Sequence, residues 1–159
     1  MSAVCQETEN YYRGCSIILD LCTAALREVL EYLHPAITCP PSIPPSKKVT
    51  LAKEQKRIVA NISTTGSYDE CDISLLYILF RNIAPKLFKP TNGWGITPIR
   101  PTAVSSADDV ERIRLLRNNI YGHVSAARMD TPSYNKMVAE VNHVMQRLDA
   151  GYHGYVTII

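Results

Sequence analysis

The sequence predicts an all-α protein, an antiparallel helical bundle of four to five helices with two proline-rich loops. Three observations indicate this fold. Apolar residues recur at helical spacing in the long segments, helix-capping residues precede two of these segments, and prolines cluster in two stretches between them. A chain of 159 residues is long enough to bury a core without disulfides. We therefore expect a single domain over residues 1–159, with its core at about residues 9–150.

The first predicted helix covers residues 9–34 and ends at Pro35. We interpret Tyr11 and Tyr12 near its start as packing residues, because aromatic side chains are generally buried. The first proline-rich loop follows at residues 39–48. Its four prolines exclude regular hydrogen-bonded structure, so we interpret this loop as a spacer.

The middle of the chain contains a short helix and then a strongly apolar one. The short helix is predicted at residues 50–62, with its charged side chains facing solvent. The apolar helix begins at Ile73 and continues through Ile83, and it is apolar on nearly all sides, as expected of a central buried helix. Arg81 and Asn82 near its end are polar groups on this apolar element and therefore need partners.

The second proline-rich loop, at residues 85–101, contains Trp94 between two glycines. We expect Trp94 to fill a gap in the core from this loop, with its indole N–H hydrogen-bonded. The alternative is that its ring stacks on a nucleic-acid base.

Capping residues predict the starts of the last two helices. Ser106 and Asp109 have the spacing of a capping box and predict where one helix begins. The Thr131-Pro132 pair predicts the start of the final helix, which we expect to end at Gly151. The tail at residues 151–159 has no assigned structure.

The composition excludes several classes of function. A formal charge of +2 gives no overall basic field that would attract nucleic acid. Five cysteines without a C-x-x-C pair predict reduced thiols in an intracellular, cytoplasmic protein, not a disulfide framework or a zinc finger. The first ten residues do not have the pattern of a signal peptide, so we expect none, and no apolar run is long enough to span a bilayer. We expect no membrane contact, no metal and no other cofactor.

The strongest functional signal is an arginine in the helix that begins near Ser106. At 100° per residue, Arg117 is predicted inside an apolar stripe and His123 at its border. The stripe comprises Val110, Ile113, Leu116, Ile120 and Val124. A guanidinium on a buried face is costly unless it is paired or lies in a wet cleft. The helix therefore either packs around a satisfied ion or turns this face toward a pocket.

Arg117 and His123 have the chemistry that metal-free RNA cleavage requires. A histidine transfers protons near neutral pH, and an arginine holds phosphate with a permanent, forked charge. The two residues are about 9 Å apart along a helix axis and about 120° apart around it, so they border one cleft only if a second helix completes it. Positive charge is concentrated here, because residues 112–129 contain four arginines and no acid.

A structural role for both residues is the alternative. Arg117 would then pair with a buried acid such as Asp69 or Asp72. His123 would be a satisfied histidine that stabilises the C-terminal end of its helix.

Arg117 and Asn118, followed by four residues and His123, resemble the Arg-x4–6-His motif of HEPN domains, in which a polar residue commonly follows the arginine. Further segments are similar to one subgroup, the HEPN-like domain of the DAZ-interacting-protein type, named for an RNA-binding zinc-finger ubiquitin ligase. These segments are the helix Ile73–Ile83 with its Arg81-Asn82 pair, the Gly93-Trp94 loop and residues 107–125. The resemblance covers roughly residues 26–148.

The resemblance implies a helical bundle that forms a homodimer through the Arg117–His123 helix, so that the two copies of the motif meet. It also implies single-stranded RNA as a partner, because many HEPN domains are metal-independent endoribonucleases and others bind only RNA or proteins. Arg117, His123 and Asn118 are then the candidate catalytic residues. The candidate RNA contacts are Arg114, Asn119, Tyr121, Arg81 and Asn82. The sequence contains no RING pattern, so ubiquitin-ligase activity is not implied.

Two hypotheses follow, and the sequence leaves open whether the chain is an enzyme. In the first, it is a metal-independent endoribonuclease in which His123 acts as acid or base, Arg117 holds the scissile phosphate and Asn118 orients it. In the second, it is a non-catalytic HEPN interaction module of an intracellular immune or signalling protein. The same helix face then serves dimerisation or docking, and Arg117 is a structural ion.

Overall fold

The computed structural model of the protein describes residues 2–43, 50–122 and 125–152. Within these ranges all regular secondary structure is helical, which confirms the predicted all-α bundle. None of the described helices is both long enough and apolar enough to cross a membrane. The helices are α1 (Ala3–Ser16), α2 (Thr23–Leu33), α3 (Lys53–Thr65), α4 (Ile73–Ile83), α5 (Ser106–Gly122) and α6 (Thr131–Tyr152).

Helices α1 and α2 form one continuous rod, because a π-helical turn at Ile17–Cys22 joins them. The rod begins at Ala3, earlier than predicted, where the Ser2 hydroxyl accepts a hydrogen bond from the Cys5 N–H at 3.3 Å. The first turns carry few apolar residues, so periodicity gives no signal for them. Tyr11 is buried as expected, but Tyr12 is 62% exposed and does not have the packing role that we predicted.

Helix α3 is displaced by three residues from its predicted range of 50–62. The Gln55 side chain accepts a hydrogen bond from the Ala52 N–H at 3.0 Å and so satisfies one free donor at the helix start. Gly66, with a φ of +69°, ends the helix in the left-handed conformation that glycine adopts without strain.

Helix α4 has the predicted bounds and is largely buried. It packs against both α2 and α5. Asp72 caps its N-terminus by accepting a hydrogen bond from the Leu75 N–H at 2.8 Å. Near its C-terminus the Asn82 amide donates to the Ile78 carbonyl oxygen at 2.7 Å, so the polar residue finds its partner within the helix itself.

Helices α5 and α6 are each capped one residue earlier than predicted. The capping box of α5 is formed by Ser105 and Asp108, whose side chains accept hydrogen bonds from each other's N–H at 3.1 and 3.0 Å. Helix α6 is capped by Asp130, which accepts from the Ser133 N–H at 2.7 Å. Because Asp108 and not Asp109 belongs to the capping box, the Asp109 side chain faces the core.

Helix α6 continues through Gly151 to Tyr152, so Gly151 does not end it as predicted. The buried Tyr152 ring lies edge-on to Tyr32 of α2, with 5.1 Å between ring centroids, and this packing carries the helix past the glycine. Residues 153–159 of the predicted tail and residues 44–48 of the first proline-rich loop lie outside the described residues.

Trp94 packs against the core from its loop, as predicted. Its ring centroid is 5.5 Å from that of Tyr77 and 6.3 Å from that of Phe88, which itself stacks on Phe80 of α4. Within the described residues, the indole N–H makes no hydrogen bond to the protein. Hydrophobic contact with these rings therefore holds Trp94 in place.

Candidate functional site

A buried ionic cluster holds the first half of α5. Asp109 is fully buried and accepts hydrogen bonds from Arg147 of α6 at 2.9 and 2.6 Å. Arg112 donates a further bond to Asp109 at 3.0 Å and another to the Arg100 carbonyl oxygen at 3.2 Å. Burial raises the pKa of Asp109, while the two guanidinium groups oppose that rise. The cluster fixes α5 against α6.

A second buried acid, Glu111, joins α5 to α4 and to the Trp94 loop. One carboxylate oxygen accepts hydrogen bonds from the Tyr77 hydroxyl and from the Gly95 N–H. The other accepts two from Arg114, at 3.0 and 2.9 Å. Burial and the bond to Glu111 raise the pKa of Tyr77 to about 12. Arg114, a candidate RNA contact, is thus committed to an internal ion pair.

The structure brings Arg81 to the same tyrosine. The Cζ atoms of Arg114 and Arg81 lie 5.1 and 5.5 Å from the centroid of the Tyr77 ring. Arg81 is exposed, whereas Asn82 is half-buried and uses its amide within α4. Of the candidate RNA contacts on α4, Arg81 therefore belongs to a cluster around Tyr77, whereas Asn82 bonds within its own helix.

Arg117 differs from the two preceding arginines of α5. Its Cζ atom lies 4.3 Å from the centroid of the Tyr121 ring, and its Nη1 donates to Asn118 Oδ1 at 3.3 Å. Tyr121 is 48% exposed and Asn118 is also exposed. Within the described part of the chain Arg117 forms no ion pair, and neither Asp69 nor Asp72 lies against it as the structural alternative required.

The apolar stripe of α5 is buried inside the bundle at each of its described positions, which are Val110, Ile113, Leu116 and Ile120. Arg117 itself is only half-buried, because its long side chain leaves the core and extends along the helix to Tyr121. His123 and Val124 lie outside the described residues. The catalytic role of His123 therefore stays a prediction.

Asn119 faces a different neighbour from Arg117. It lines a groove of about 210 Å³ between α5 and α6, together with Ser133, Lys136 and Glu140 of α6. We call this cavity the α5–α6 groove, and we call the set Arg117, Asn118, Asn119 and Tyr121 the α5 end. Sequence reasoning missed the three α6 residues, although their spacing of three and four places them on one face of a helix. The floor of the groove consists of Leu116, Ile120, Met129 and Met137.

Helix α1 supports this floor from behind. A Cβ atom at Gly14 would lie 3.3 Å from Met137 Cε and 3.6 Å from Ile120 Cδ1, so the glycine allows α1 to approach closely. The Asn10 amide also donates to the Met129 carbonyl oxygen at 3.2 Å. The α5 end is therefore held by α1 and α6 together.

Comparison with known proteins identifies one family. A family model described as DZIP3/hRUL138-like HEPN matches residues 24–156, which include nearly all of α2 and all of α3 to α6 but not α1. No curated protein and no solved structure matches the chain significantly. The match confirms the resemblance that the Arg117 motif and its flanking segments predicted.

Within the described residues, no group of three or more His, Cys, Asp or Glu side chains is placed to hold a metal ion.

Proposed function

The chain belongs to the DZIP3/hRUL138-like HEPN family, and we propose that it binds single-stranded RNA through the α5 end. The observation that carries this proposal is the state of Arg117. Its guanidinium is matched by no acid of the described residues and lies against an exposed tyrosine ring. Its charge and most of its N–H donors thus remain available to a phosphate, which an arginine grips with two parallel hydrogen bonds.

The neighbours of Arg117 suit the other parts of an RNA strand. Tyr121 offers an exposed ring, and stacking of a base on such a ring contributes about 1–3 kcal/mol. The exposed Asn118 amide can both donate and accept hydrogen bonds. Arg112 and Arg114 pair with Asp109 and Glu111, so the arginine of α5 that has no acidic partner among the described residues is Arg117, at its end.

Binding is tested by fluorescence anisotropy with a labelled single-stranded RNA at two salt concentrations. We expect Arg117→Ala to weaken binding roughly 10- to 150-fold, since a charged hydrogen bond contributes about 1.5–3 kcal/mol. The slope of log affinity against log salt concentration should become shallower by about one, as expected when one phosphate contact is lost. Arg57→Ala is the matched control, because Arg57 is an exposed arginine of α3 that pairs with Glu54. Absence of binding by the wild type, or equal loss in both variants, would overturn the proposal.

We further propose that the RNA bound at the α5 end is cleaved without a metal ion. The spacing of Arg117 and His123 supports this step, because it supplies a phosphate-binding cation and a proton-transfer group on one segment. The 2′-hydroxyl of the ribose gives its proton to His123, and its oxygen attacks the adjacent phosphorus. The P–O5′ bond then breaks and O5′ takes the proton back from His123, which leaves a 2′,3′-cyclic phosphate and a 5′-hydroxyl. Arg117 stabilises the charge on the phosphorane.

Cleavage is tested by incubating RNA with the purified chain in EDTA and identifying the product ends. His123→Ala should slow the reaction by about 10²–10⁴-fold, the usual contribution of general acid–base catalysis. Arg117→Lys should also lose most activity, because an ammonium group does not reproduce the forked grip. A wild-type chain that binds RNA but leaves it intact would overturn the cleavage step and leave the binding proposal standing.

A second candidate function is dimerisation, and the composition of the α5 end favours it. Tyrosine and arginine side chains are enriched at the centres of protein interfaces, and the half-buried Arg117 and the exposed Tyr121 provide them here. The apolar stripe of α5, which was one candidate face for dimerisation, is buried within the monomer at its described positions. A homodimer would therefore use the exposed α5 end instead. A dimer of this kind would place two Arg117 side chains on one RNA.

A further inference from the structure

We infer that the α5–α6 groove is a subsite for one unpaired nucleobase of the bound RNA, and that it prefers guanine. This inference rests on the proposed RNA binding at the α5 end. It extends that site to three residues of α6, namely Ser133, Lys136 and Glu140.

The size and floor of the groove suit a flat aromatic ring. Its volume is about 210 Å³, and the four side chains of its floor are all buried, so the cavity is apolar at its base. Two of these four are the methionines Met129 and Met137, whose thioethers make favourable contacts with aromatic rings.

The floor is formed before any ligand arrives. The Met129 N–H donates to the Glu7 carbonyl oxygen at 3.0 Å, and its own carbonyl accepts from Asn10 at 3.2 Å. Both contacts come from α1, which also lies against Met137 at Gly14. A base therefore enters a cavity that is already shaped, and less ordering entropy is lost on binding.

The rim of the groove carries polar groups that no internal ion pair occupies. Within the described residues, neither Lys136 nor Glu140 belongs to a salt bridge, and the charge of Glu140 acts on Arg147 only as a minor contribution that raises the pKa of that arginine. Asn119 contributes an amide from α5, and Ser133 contributes a hydroxyl from α6. A cavity with an apolar floor and a few polar groups at its rim is the usual form of a small-ligand subsite.

The chemistry of the rim selects among the bases. The Watson–Crick edge of guanine presents two adjacent N–H donors and one carbonyl acceptor. The two oxygens of the Glu140 carboxylate match the donors, and the Asn119 amide N–H matches the acceptor. Uracil presents one donor between two carbonyl oxygens, which a carboxylate repels. Lys136 supplies a cation for the neighbouring phosphate.

The path of the strand follows from the helical positions. Arg117 and Asn119 are about 200° apart around α5, and Asn118 lies midway between them. A single strand held by Arg117 therefore crosses the exposed α5 end over Asn118 before its next base reaches the groove. Proteins commonly read unpaired RNA bases in this way, by splaying a base out of the strand into a side-chain pocket.

The test compares short uridine-rich RNAs that carry G, A, C or U at one central position, with affinities measured by anisotropy. We expect the wild type to prefer the G-containing RNA over the all-uridine RNA by about 5- to 150-fold, the range of one bidentate base contact. Glu140→Gln keeps the shape but replaces one carboxylate oxygen with an N–H donor group. It should abolish this preference by weakening the G-containing RNA and by removing the repulsion of uracil, so that the all-uridine RNA binds at least as tightly as before. Lys136→Ala should weaken all four RNAs by the same factor.

Glu54→Gln on α3 is the matched control and should retain the preference for guanine. An absence of base preference in the wild type, or its survival in Glu140→Gln, would overturn the subsite and leave RNA binding intact. Loss of affinity only in Arg117→Ala, with no effect of Lys136→Ala, would also overturn it. If the wild type binds none of the four RNAs, the proposed function itself fails.

Discussion

Arg147 of α6 donates two hydrogen bonds to the carboxylate of Asp109 of α5, from Nε at 2.9 Å and from Nη2 at 2.6 Å. Asp109 is fully buried, whereas the side chain of Arg147 is 32% exposed. The pair joins the two helices that form the α5–α6 groove. It thereby links the stability of the bundle to the shape of the candidate site.

Removing this contact should destabilise the fold. We expect Arg147→Ala to lower the free energy of unfolding by about 3 kcal/mol, because a buried carboxylate loses one of its two cationic partners. Urea denaturation measures the change. The exposed ion pair of Arg57 is the control, and Arg57→Ala should cost less than about 1 kcal/mol. Equal, small losses in both variants would contradict a structural role for Arg147.

The capping box of α5 should give the stability a defined pH dependence. Burial alone would raise the pKa of Asp108, but hydrogen bonds from Ser105 and Thr91 outweigh it and lower the pKa. Because the folded pKa lies below the unfolded value of about 3.9, Asp108 stabilises the folded state above about pH 4. That stabilisation is lost as the pH falls through the folded pKa.

Asp108→Asn should therefore lower the free energy of unfolding by about 1–3 kcal/mol at neutral pH and by less in acid. Urea denaturation at about pH 7 and about pH 3 compares the two conditions. Asp69→Asn, at an exposed turn, serves as the control and should change little. An identical difference at both pH values would contradict the assignment of the pH dependence to Asp108.

The close approach of α1 should be sensitive to side-chain size at Gly14. Alanine gains about 1 kcal/mol in helix propensity, while its Cβ presses on the flexible end of Met137 at 3.3 Å, so we expect Gly14→Ala to be nearly neutral. Gly14→Leu should destabilise the fold by about 1–3 kcal/mol or more through overpacking. Thermal unfolding measures both variants. Gly151→Leu should tolerate the larger residue, because Gly151 is exposed and Ser106 is the one described residue within 4 Å of an added Cβ.

The proposed homodimer predicts self-association of the purified chain. Sedimentation equilibrium at tens of micromolar, roughly where weak specific interfaces associate, should show a dimer. Tyr121→Asp should dissociate it by placing a charge at the centre of the exposed α5 end. Leu87→Asp is the control, because Leu87 is 91% exposed in the loop after α4. A wild-type monomer at this concentration would contradict dimerisation through the α5 end.

Sequence reasoning predicted the elements of the fold better than their ends. Periodicity located α4 and the stripe of α5, because burial of one face imposes that pattern. The capping box was predicted one residue late, because Ser105 and Ser106 stand side by side before Asp108 and Asp109. Spacing alone does not choose between the two registers. The choice depends on Arg147, which comes from a distant segment and binds Asp109.

The candidate site was predicted only where its residues are consecutive in sequence. The motif around Arg117 is local, so it is visible without a structure. The pairing of Arg112 and Arg114 with acids is not visible in the sequence, since Asp109 and Glu111 lie just before the acid-free segment 112–129. Likewise, Lys136 and Glu140 join Asn119 only through the packing of α6 on α5.

The central claim is that single-stranded RNA binds at the α5 end, and mapping the bound RNA by NMR tests it most directly. A short single-stranded RNA is titrated into the ¹⁵N-labelled chain, and chemical-shift changes of backbone and side-chain amides are followed. We predict changes at Arg117, Asn118, Asn119 and Tyr121, with α3 unaffected. Saturating RNA that leaves the α5 end unchanged, or that shifts α3 or the residues around Tyr77 instead, would contradict the claim.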